Sequence, residues 1–272
     1  MRLLVKIGGA QLEEAAARSE LACSVAAARD AGHELVLVHG GGNQIRERVR
    51  ALGLVERYHE GLRVTDAATA DVVLEVLAGA VNKALVRTLN DAGVAAVGLC
   101  GADGASFVAR RLERAGVELG YVGEVDAVDP RLIEALLAAR YVPVLATVAP
   151  LANGASAPSE HFYNINADMA AGALGRACKA DAIVFLTDVP GVLDGDKQKL
   201  ALLTSEACAE LQRAGVIHGG MLPKVEAALA ALRSCPRSLV KIAPAAGTDS
   251  VLRALRGEIG TAFQAKELAT HA

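Results

Sequence analysis

Two short stretches decide the fold: Leu3-Leu4-Val5-Lys6-Ile7-Gly8-Gly9 and Leu35-Val36-Leu37-Val38-His39-Gly40-Gly41-Gly42. Each is a run of mainly apolar residues that stops at glycines, which is typical of a buried strand that turns tightly into a helix. Similar runs recur further on, at Ala95–Leu99, Val142–Thr147, Ala182–Leu186 and Ser238–Ile242. Because helical patterns separate these runs, we predict an α/β fold: a mostly parallel open sheet sandwiched between helices and built from right-handed β-α-β units.

Helices are predicted where apolar residues recur at spacings of three and four, at Ile45–Leu54, Asp66–Ala92 and Asp168–Lys179. Val108–Val125 and Ala152–Asn166 break the strand–helix rhythm, and we predict both as β-hairpins or lids over the carboxyl edge of the sheet. The chain shows no disordered linker and no internal repeat. We therefore predict a single domain over residues 1–272, with a soft boundary between lobes at 1–175 and 176–272.

Composition excludes several classes of protein. Of the 272 residues, 53% are hydrophobic, 22% charged and 3% aromatic, which is globular composition and excludes disordered and fibrous chains. The 28 basic residues against 31 acidic ones give a net charge of −3. Since no overall basic field attracts nucleic acid or anionic lipid, we predict neither as a partner. Any bound anion must be held by a few placed charges.

Cysteine usage predicts a reducing compartment. The chain has an odd number of cysteines, widely spaced and without a CxxC pair: Cys23, Cys100, Cys178, Cys208 and Cys235. This pattern argues against a disulfide framework or a zinc site. The apolar start is too short for a signal peptide, and no apolar run approaches the ~18 residues of a membrane span. We predict a soluble cytoplasmic protein without a metal-ligating cluster.

Glycine turns are the first candidates for chemistry. Gly8-Gly9 and Gly40-Gly41-Gly42 end strands and precede helical patterns, where backbone N–H groups and the helix dipole could bind an anion. Glycine is also needed for the tight turn alone, so both interpretations stay open. The sequence lacks four common motifs: the dinucleotide pattern GxGxxG with its acidic partner, the P-loop GxxxxGK[ST], the zinc-binding HExxH and the hydrolase elbow GxSxG.

Charged residues at predicted element ends are the second group. Lys6 interrupts an apolar strand, so either it meets an anion or its side chain reaches solvent. Asn166 and Asp168 suit the start of a helix, but capping does not account for Asn164 on the preceding strand. Lys224 lies in the first turn of a helix, where it opposes the dipole; a bound phosphate would compensate, and a solvated lysine is the alternative.

Taken in chain order, these segments resemble the amino acid kinase family. The resemblance covers nearly the whole chain and rests on Val5–Gly9, Val38–Gly42, Gly61–Asp66, Leu77–Gly79, Val81–Lys83, Gly98-Leu99, Tyr121–Val125, Asn164–Asp168, Leu186–Leu193, Gly219–Met221, Pro223-Lys224 and Gly260–Ala262. It implies the sheet shared with carbamate kinases, an amino-acid-substrate lobe at 1–175 and a nucleotide lobe at 176–272. The implied reaction, the second step of arginine biosynthesis, is ATP-dependent phosphorylation of the side-chain carboxylate of N-acetyl-L-glutamate to an acyl phosphate.

The resemblance also implies roles for individual residues. Lys6 and Lys224 would flank the transferring phosphoryl group, with Asp168 holding both lysines. Backbone N–H donors would come from Gly9, Gly41 and Gly42, while Arg63 would grip the substrate α-carboxylate and Asn164 would bind the acetylated amino acid. Nucleotide contacts would come from Asp188, Val189, Pro190, Gly191, Val192, Leu193, Val216, Ile217 and His218. Mg²⁺ would be held mainly by the ATP phosphates and water.

Two departures from the family pattern bear on substrate and assembly. Cys100-Gly101-Ala102-Asp103-Gly104 stands where family members often have Ser-Gly-Lys-Asp-Gly, so the substrate contacts of this loop stay open. The sequence starts at the first strand, without the extra helix of hexameric, arginine-inhibited relatives. We therefore expect a homodimer that arginine does not inhibit.

Other activities fit the sequence less well. A sister kinase for a carrier-linked aminoadipate or glutamate would tend to show Ser-Asn-Val-Pro-Gly at Thr187–Gly191. Glutamate 5-kinases and aspartokinases carry appended domains that do not follow here. A non-catalytic amino-acid-binding regulator on the same fold would leave Lys6, Asp168 and Lys224 free to vary, yet all three are in place.

Overall fold

The computed structural model describes residues 1–152 and 160–265. Its strands are β1 (Arg2–Ile7), β2 (Glu34–His39), β3 (Tyr58–His59), β4 (Leu62–Arg63), β5 (Ala96–Leu99), β6 (Phe107–Arg111), β7 (Val122–Val128), β8 (Val142–Ala146), β9 (Val148–Ala149), β10 (Tyr163–Ile165), β11 (Ala182–Thr187), β12 (Leu202–Thr204), β13 (Leu239–Pro244) and β14 (Thr261–Gln264). Its α-helices are α1 (Ala10–Glu13), α2 (Ala15–Asp30), α3 (Gly42–Ala51), α4 (Ala67–Leu74), α5 (Asn82–Asp91), α6 (Arg131–Ala138), α7 (Ala167–Ala177), α8 (Ser205–Arg213), α9 (Met221–Ser234) and α10 (Ser250–Leu255).

The main sheet has eight strands in the order β12-β14-β13-β11-β1-β2-β8-β5. The six neighbouring strands β13, β11, β1, β2, β8 and β5 are all parallel. β14 runs antiparallel to β13, and β12 pairs parallel with β14. The predicted mostly parallel sheet is confirmed. The two predicted lobes contribute strands to this one sheet, and the boundary between them stays a prediction.

Alternation along β1 shows how the sheet is covered. Leu3, Val5 and Ile7 face one hydrophobic core, which also contains apolar residues of α2, α4, α5 and α10. Leu4 faces a second core, formed with α6, α7, α8 and α9. Because successive side chains of a strand point to opposite faces, a strand buried on both faces is apolar throughout. Lys6, on the Leu4 side, is the exception.

The order in which strands join the main sheet changes direction at β1. From β1 it adds β2 on one side, with β8 and β5 beyond, and then returns to add β11 and β13 on the other side. At such a switch point, the crevice outside the carboxyl ends of the strands is where open α/β sheets bind ligands. The fold therefore directs attention to the turns that follow β1 and β2.

A second sheet, in the order β6-β7-β10-β9, lies over the second core. β6 and β7 form an antiparallel hairpin, which confirms the hairpin predicted at Val108–Val125. The prediction at Ala152–Asn166 falls partly on residues 153–159, which lie outside the described part of the chain. What is described there is β10, paired antiparallel with β9 and parallel with β7.

The helix predicted at Asp66–Ala92 is α4 and α5 joined by a π-helical segment at Glu75–Val81. Asp66 caps its start, because its carboxylate accepts a hydrogen bond of 2.9 Å from the backbone N–H of Thr69. A π-helical turn inside an α-helix often marks a functional site. This segment packs beneath the glycine turn that follows β2.

The five cysteines are all free, and only Cys23 is exposed. Burial raises the pKa of the Cys178 thiol to about 12 and that of Cys208 to about 11, so both are held as unreactive thiols at neutral pH. Across residues 1–152 and 160–265, no helix combines the length and apolarity required to span a bilayer.

Candidate active site at the carboxyl edge of the sheet

Lys6 forms the central ion pair of the site. Its Nζ lies 2.6 Å from Oδ1 of Asp168, and only 8% of the residue is exposed. The alternative in which this lysine reaches solvent is wrong, since its anion is supplied from inside the protein. A buried ammonium is tolerated when a carboxylate compensates its charge. Lys6 and Asp168 both line the cavity described below.

The start of α7 holds Asp168 in place. Asn166 caps this helix, since its Oδ1 accepts hydrogen bonds from the backbone N–H groups of Asp168 (2.9 Å) and Met169 (3.2 Å). The predicted capping role of Asn166 is thereby confirmed. Asp168 occupies the first turn, where the helix dipole favours a carboxylate. The carboxylate is thus fixed on a rigid element before it meets Lys6.

Glycine turns supply unpaired backbone donors around the pair. In the described part of the chain, the N–H groups of Gly9, Gly41 and Gly42 donate to no other residue. A Cβ at Gly9 or Gly42 would meet nothing within 4 Å, so these positions open onto free space. A Cβ at Gly41 would come within 2.8 Å of Leu77 Cδ2, so a larger residue there would have to displace that side chain. Free N–H groups at the start of α1 and α3 suit an anion.

Arg63 faces the same space from β4. It is 7% exposed, and its Nη2 donates to the backbone oxygen of Gly42 at 3.0 Å. Its guanidinium stacks 4.9 Å from the ring centroid of Tyr58, and its Nη1 lies 3.4 Å from Glu56 Oε2. Nη1 completes no hydrogen bond with the residues that the structure describes. A buried guanidinium with spare donors is suited to gripping a carboxylate.

Asn164 completes the amino-acid side of the site. It lies on β10, and its Nδ2 donates to Thr65 Oγ1 at 3.3 Å. Thr65 Oγ1 itself donates to the backbone oxygen of Arg63 at 2.8 Å, so the two predicted substrate residues are connected through one threonine. The side-chain oxygen of Asn164 accepts no hydrogen bond from the described residues.

These residues line one cavity of about 290 Å³. It brings together the predicted residues Lys6, Gly9, Gly41, Gly42, Arg63, Asn164 and Asp168. Its volume is near the lower end of the range for small-molecule sites, ~300–1,000 Å³. A wider hollow of about 740 Å³ lies at the opposite, amino edge of the sheet, near His33 and Tyr141. It contains none of the predicted site residues.

Lys224 stands apart from this cavity. It is partly exposed in the first turn of α9, and it makes no ion pair or hydrogen bond with any described residue. The implied bridging of both lysines by Asp168 is therefore seen here only for Lys6.

The helices α7 and α9 pack together at Gly172, where a Cβ would lie 3.1 Å from Ala231 Cα. Each precedes a strand parallel to β1, so both helices begin at the carboxyl edge of the sheet.

The predicted nucleotide residues form two loops at this edge. Asp188 to Leu193 follow β11, and within them Asp188 and Pro190 are exposed. Val216, Ile217 and His218 lie between α8 and α9, where His218 Nδ1 is 3.0 Å from the backbone oxygens of Gly215 and Val216. The loops are distinct from the cavity around Lys6.

Thr261 anchors the first of these loops. Its Oγ1 accepts a hydrogen bond from the N–H of Val192 at 2.9 Å and donates to the backbone oxygen of Leu200 at 2.6 Å. Gly191 is adjacent, at φ 142°, and a Cβ there would lie 2.7 Å from the threonine oxygen. Only the motif Gly260–Ala262 pointed to this threonine in the sequence, and it indicated no role.

Sequence reasoning also missed the partners of Arg63. Glu56 and Tyr58 hold the guanidinium from one side, and Tyr58 lies on β3, which pairs antiparallel with β4. No apolar periodicity marks strands of two residues, so the pattern carried no signal for this hairpin.

Comparisons with known proteins identify the family of this chain. A sequence model of the amino acid kinase family matches residues 1–241. The chain is 45% identical over 262 residues to a protein named acetylglutamate kinase in Solibacter usitatus, covering 96% of this chain and 98% of the relative. It is 44% identical over 245 residues to another of that name in Acidobacterium capsulatum, covering 90% and 91%.

Solved structures give the same fold. A protein from Streptococcus mutans superposes with a TM-score of 0.80 at 30% identity, covering 97% of this chain and 99% of that one. Carbamate kinase from Giardia lamblia bound to AMP-PNP matches with a TM-score of 0.70 at 15% identity, covering 97% and 98%. This second match shows the fold alone.

Fold and site together define an α/β protein with a cavity at the switch point of its sheet, lined by buried cations and free backbone N–H groups that suit small anions. The chain belongs to the amino acid kinase family.

Proposed function

We propose that this protein is a kinase that transfers the γ-phosphoryl group of ATP to the side-chain carboxylate of N-acetyl-L-glutamate; relatives of the chain are named acetylglutamate kinase. The product is N-acetyl-L-glutamyl 5-phosphate, formed in the second step of arginine biosynthesis. The observation that carries the proposal is one cavity that combines a buried lysine, free glycine N–H groups and a buried arginine.

The acceptor is bound through its charges. Arg63 grips the α-carboxylate with its guanidinium fork. The side-chain amide of Asn164 forms a hydrogen bond with the acetamido group. The side-chain carboxylate then points at Lys6 and the N–H groups of Gly9 and Gly41. Holding the reactants in line accounts for much of the acceleration in such a reaction.

The reaction needs no general base. A side-chain carboxylate with an ordinary pKa near 4.3 is already ionised at neutral pH, so its oxygen can attack phosphorus without losing a proton. Asp168, paired with Lys6 at 2.6 Å, therefore orients the ammonium rather than accepting a proton. Lys6 and the glycine N–H groups stabilise the negative charge on the transferring oxygens.

The nucleotide side is supplied by the other half of the chain. The loops Asp188–Leu193 and Val216–His218 hold the nucleotide, and Lys224 in the first turn of α9 meets its phosphates. The free ammonium of Lys224 supports this role, because it has no protein anion among the described residues. Lys224 compensates the negative charge that develops on the β-phosphate as ADP forms.

Mg²⁺ fits the site as a partner of ATP. No group of three or more acidic, cysteine or histidine side chains that could hold a metal occurs in residues 1–152 and 160–265. Phosphate oxygens and water would provide its ligands, as Mg²⁺ prefers in nucleotide sites. An ion bound there would neutralise part of the phosphate charge.

Assembly and location extend the proposal. We expect a homodimer, as the sequence comparison with hexameric relatives predicts, and a cytoplasmic enzyme, since a reducing compartment suits five free thiols.

Acceptor specificity tests the proposed function. ADP release by the purified protein is measured with N-acetyl-L-glutamate, L-glutamate and aminoadipate under the same conditions. We expect the acetylated acid to give the highest kcat/KM by at least about 100-fold, because the amide and both carboxylates have partners in the cavity. A preference for aminoadipate would favour the sister kinase, and no ADP release with any acceptor would favour a non-catalytic regulator.

A further inference from the structure

A buried polar network lies beneath the glycine turn that follows β2. His39, the last residue of that strand, is completely buried. Its Nδ1 lies 2.9 Å from the backbone oxygen of Gly40, and its Nε2 lies 3.0 Å from Nδ2 of Asn82. Asn82 is also completely buried and begins α5, directly after the π-helical segment. The roles assigned so far use neither residue.

The network determines which nitrogen of the imidazole carries the proton. The amide Nδ2 of Asn82 also donates to the backbone oxygen of Val144 at 2.9 Å, while its Oδ1 accepts from Lys83 Nζ at 3.0 Å. Turning the amide over would set its oxygen against the Val144 carbonyl and its nitrogen against the ammonium, so its orientation is settled. Nε2 of His39 is therefore an acceptor, and Nδ1–H donates to Gly40.

The hydrogen bond from His39 to the Gly40 carbonyl also fixes the direction of the Gly41 N–H. In a trans peptide the C=O and the following N–H point in opposite directions. Because the Gly40 oxygen points down to the His39 ring, the N–H of Gly41 points away from it, towards the cavity that Gly41 lines. Leu77 and Val81 close the space behind Gly41, since a Cβ there would lie 2.8 and 3.2 Å from them.

We propose that His39 and Asn82 are positioning residues that aim the Gly41 N–H at the transferring phosphoryl group. The inference rests on the proposed function, because that function places the phosphoryl group in this cavity. Asn82 holds the imidazole, the imidazole holds the Gly40–Gly41 peptide, and the peptide presents its N–H without having to reorganise as charge develops. Preorganised donors of this kind are among the largest contributions to catalysis.

Two variants of similar polarity separate positioning from simple filling of the space. The amide of His39→Asn reaches the position of Nδ1 and can still donate to the Gly40 oxygen. The amide of His39→Gln reaches the position of Nε2, which keeps the contact with Asn82 but loses that donor. We expect His39→Gln to lower kcat by about 10- to 100-fold, with both KM values within about threefold of wild type. His39→Asn should retain at least about ten times the kcat of His39→Gln.

Ser24→Ala is the matched control. Ser24 is also completely buried, and its hydroxyl lies 3.0 Å from that of Ser250, in a polar pair outside the cavity. Ser24→Ala should lower the midpoint of denaturation without changing kcat. If His39→Gln does not fold, Asn82→Ser decides, since it frees the imidazole while leaving it in place, and the same fall in kcat is expected.

Crystal structures give a readout that does not depend on turnover. In His39→Gln, the Gly40–Gly41 peptide should rotate away from its wild-type orientation, and in His39→Asn it should not. An unchanged peptide in His39→Gln, or equal kcat for the Asn and Gln variants, would overturn the inference. Failure of the wild-type protein to phosphorylate N-acetyl-L-glutamate would sink the proposed function alone, and peptide orientation would still decide the positioning role.

Discussion

Charge at the site is arranged residue by residue. Lys6 is nearly buried and is neutralised by Asp168, whereas Lys224 has no anion among the described residues. The pair Lys6–Asp168 alone has no net charge, so the proposed function assigns to Lys224 the positive charge that a phosphoryl group would meet. The carboxylate at 2.6 Å compensates the charge of the buried ammonium and holds it in place.

Loss of either lysine should slow the chemical step. We expect Lys6→Ala and Lys224→Ala to lower kcat by roughly 10²–10³, the usual effect of removing one preorganised stabiliser. Steady-state kinetics with saturating ATP and acceptor would measure this. Lys241→Met is the control, because Lys241 is a buried strand lysine, 3% exposed, that donates to the Ala254 carbonyl at 2.8 Å away from the cavity. Turnover near wild type in Lys6→Ala or Lys224→Ala would contradict the assignment.

Arg63 should affect binding more than turnover. Arg63→Ala removes the fork for the α-carboxylate, so the KM for the amino acid should rise at least about tenfold, while the KM for ATP changes little. Arg63→Lys keeps the charge but not the planar fork, and it should recover only part of the loss. An unchanged KM for the acceptor in Arg63→Ala would refute the role.

Burial of His39 links stability to pH. Burial is the main cause that lowers the pKa of His39 to about 4; the hydrogen bond to Gly40 partly offsets it, and the Lys83 ammonium adds a smaller lowering. Between pH 4 and the ordinary value near 6.5 the unfolded chain binds more protons than the folded one, so stability rises with pH. This contribution is complete above about pH 6.5 and is lost as pH falls.

The expected loss can be measured by difference. From pH 7 to pH 5 the wild-type protein should lose about 2 kcal/mol of unfolding free energy that His39→Gln does not lose. Urea denaturation of both proteins at each pH gives the comparison. Parallel pH dependence of the two proteins would show that His39 is not held neutral in the folded state.

At the scale of elements, the two halves of the site are anchored differently. The proposed acceptor half stands on β1, α3 and α7, and the side chain of Asn166 caps the start of α7. The proposed nucleotide half includes a loop that Thr261 of β14 holds in place through Val192 and Leu200. That threonine is completely buried, so losing its hydroxyl would leave both backbone groups without a partner.

Thr261→Val should therefore act on ATP binding alone. We expect the KM for ATP to rise about three- to tenfold and the KM for the acceptor to stay within about twofold, because the acceptor cavity does not contain this residue. Thr261→Ser keeps the hydroxyl and serves as the control. Equal increases in both KM values would mean that the substitution disturbs the whole sheet.

The predictability of each element follows the length of its pattern. Six strands of the main sheet were predicted to within a residue or two, since each is an apolar run that ends in a recognisable turn: β1, β2, β5, β8, β11 and β13. The short strands β12 and β14 were not predicted. The hairpin β3–β4 was not, because each strand has only two residues. The π-helical segment was hidden inside a correctly predicted helix, since its residues keep a helical apolar pattern.

The site was predictable only in part, for the same reason. Glycines and the cap residue Asn166 could be identified from local sequence, whereas the pairing of Lys6 with Asp168 joins distant parts of the chain and came from family resemblance. The partners of Arg63 and the contact of His39 with Asn82 depend on long-range packing. No spacing in the sequence encodes them.

For the whole molecule, a net charge of −3 is compatible with binding anions. Three cations far apart in sequence, Lys6, Arg63 and Lys224, serve the carboxyl edge of one sheet, and glycine N–H groups add donors without adding charge. Binding of an anion then depends on local geometry rather than on an overall field.

Trapping of the product tests the central claim most directly. An acyl phosphate reacts with hydroxylamine to give a hydroxamate, so ATP, N-acetyl-L-glutamate and hydroxylamine are incubated with the protein, and hydroxamate and ADP are measured together. We predict one hydroxamate per ADP, dependent on the acceptor and lost in Lys6→Ala. ADP without hydroxamate, or hydroxamate formation that does not require N-acetyl-L-glutamate, would contradict phosphorylation of its side-chain carboxylate.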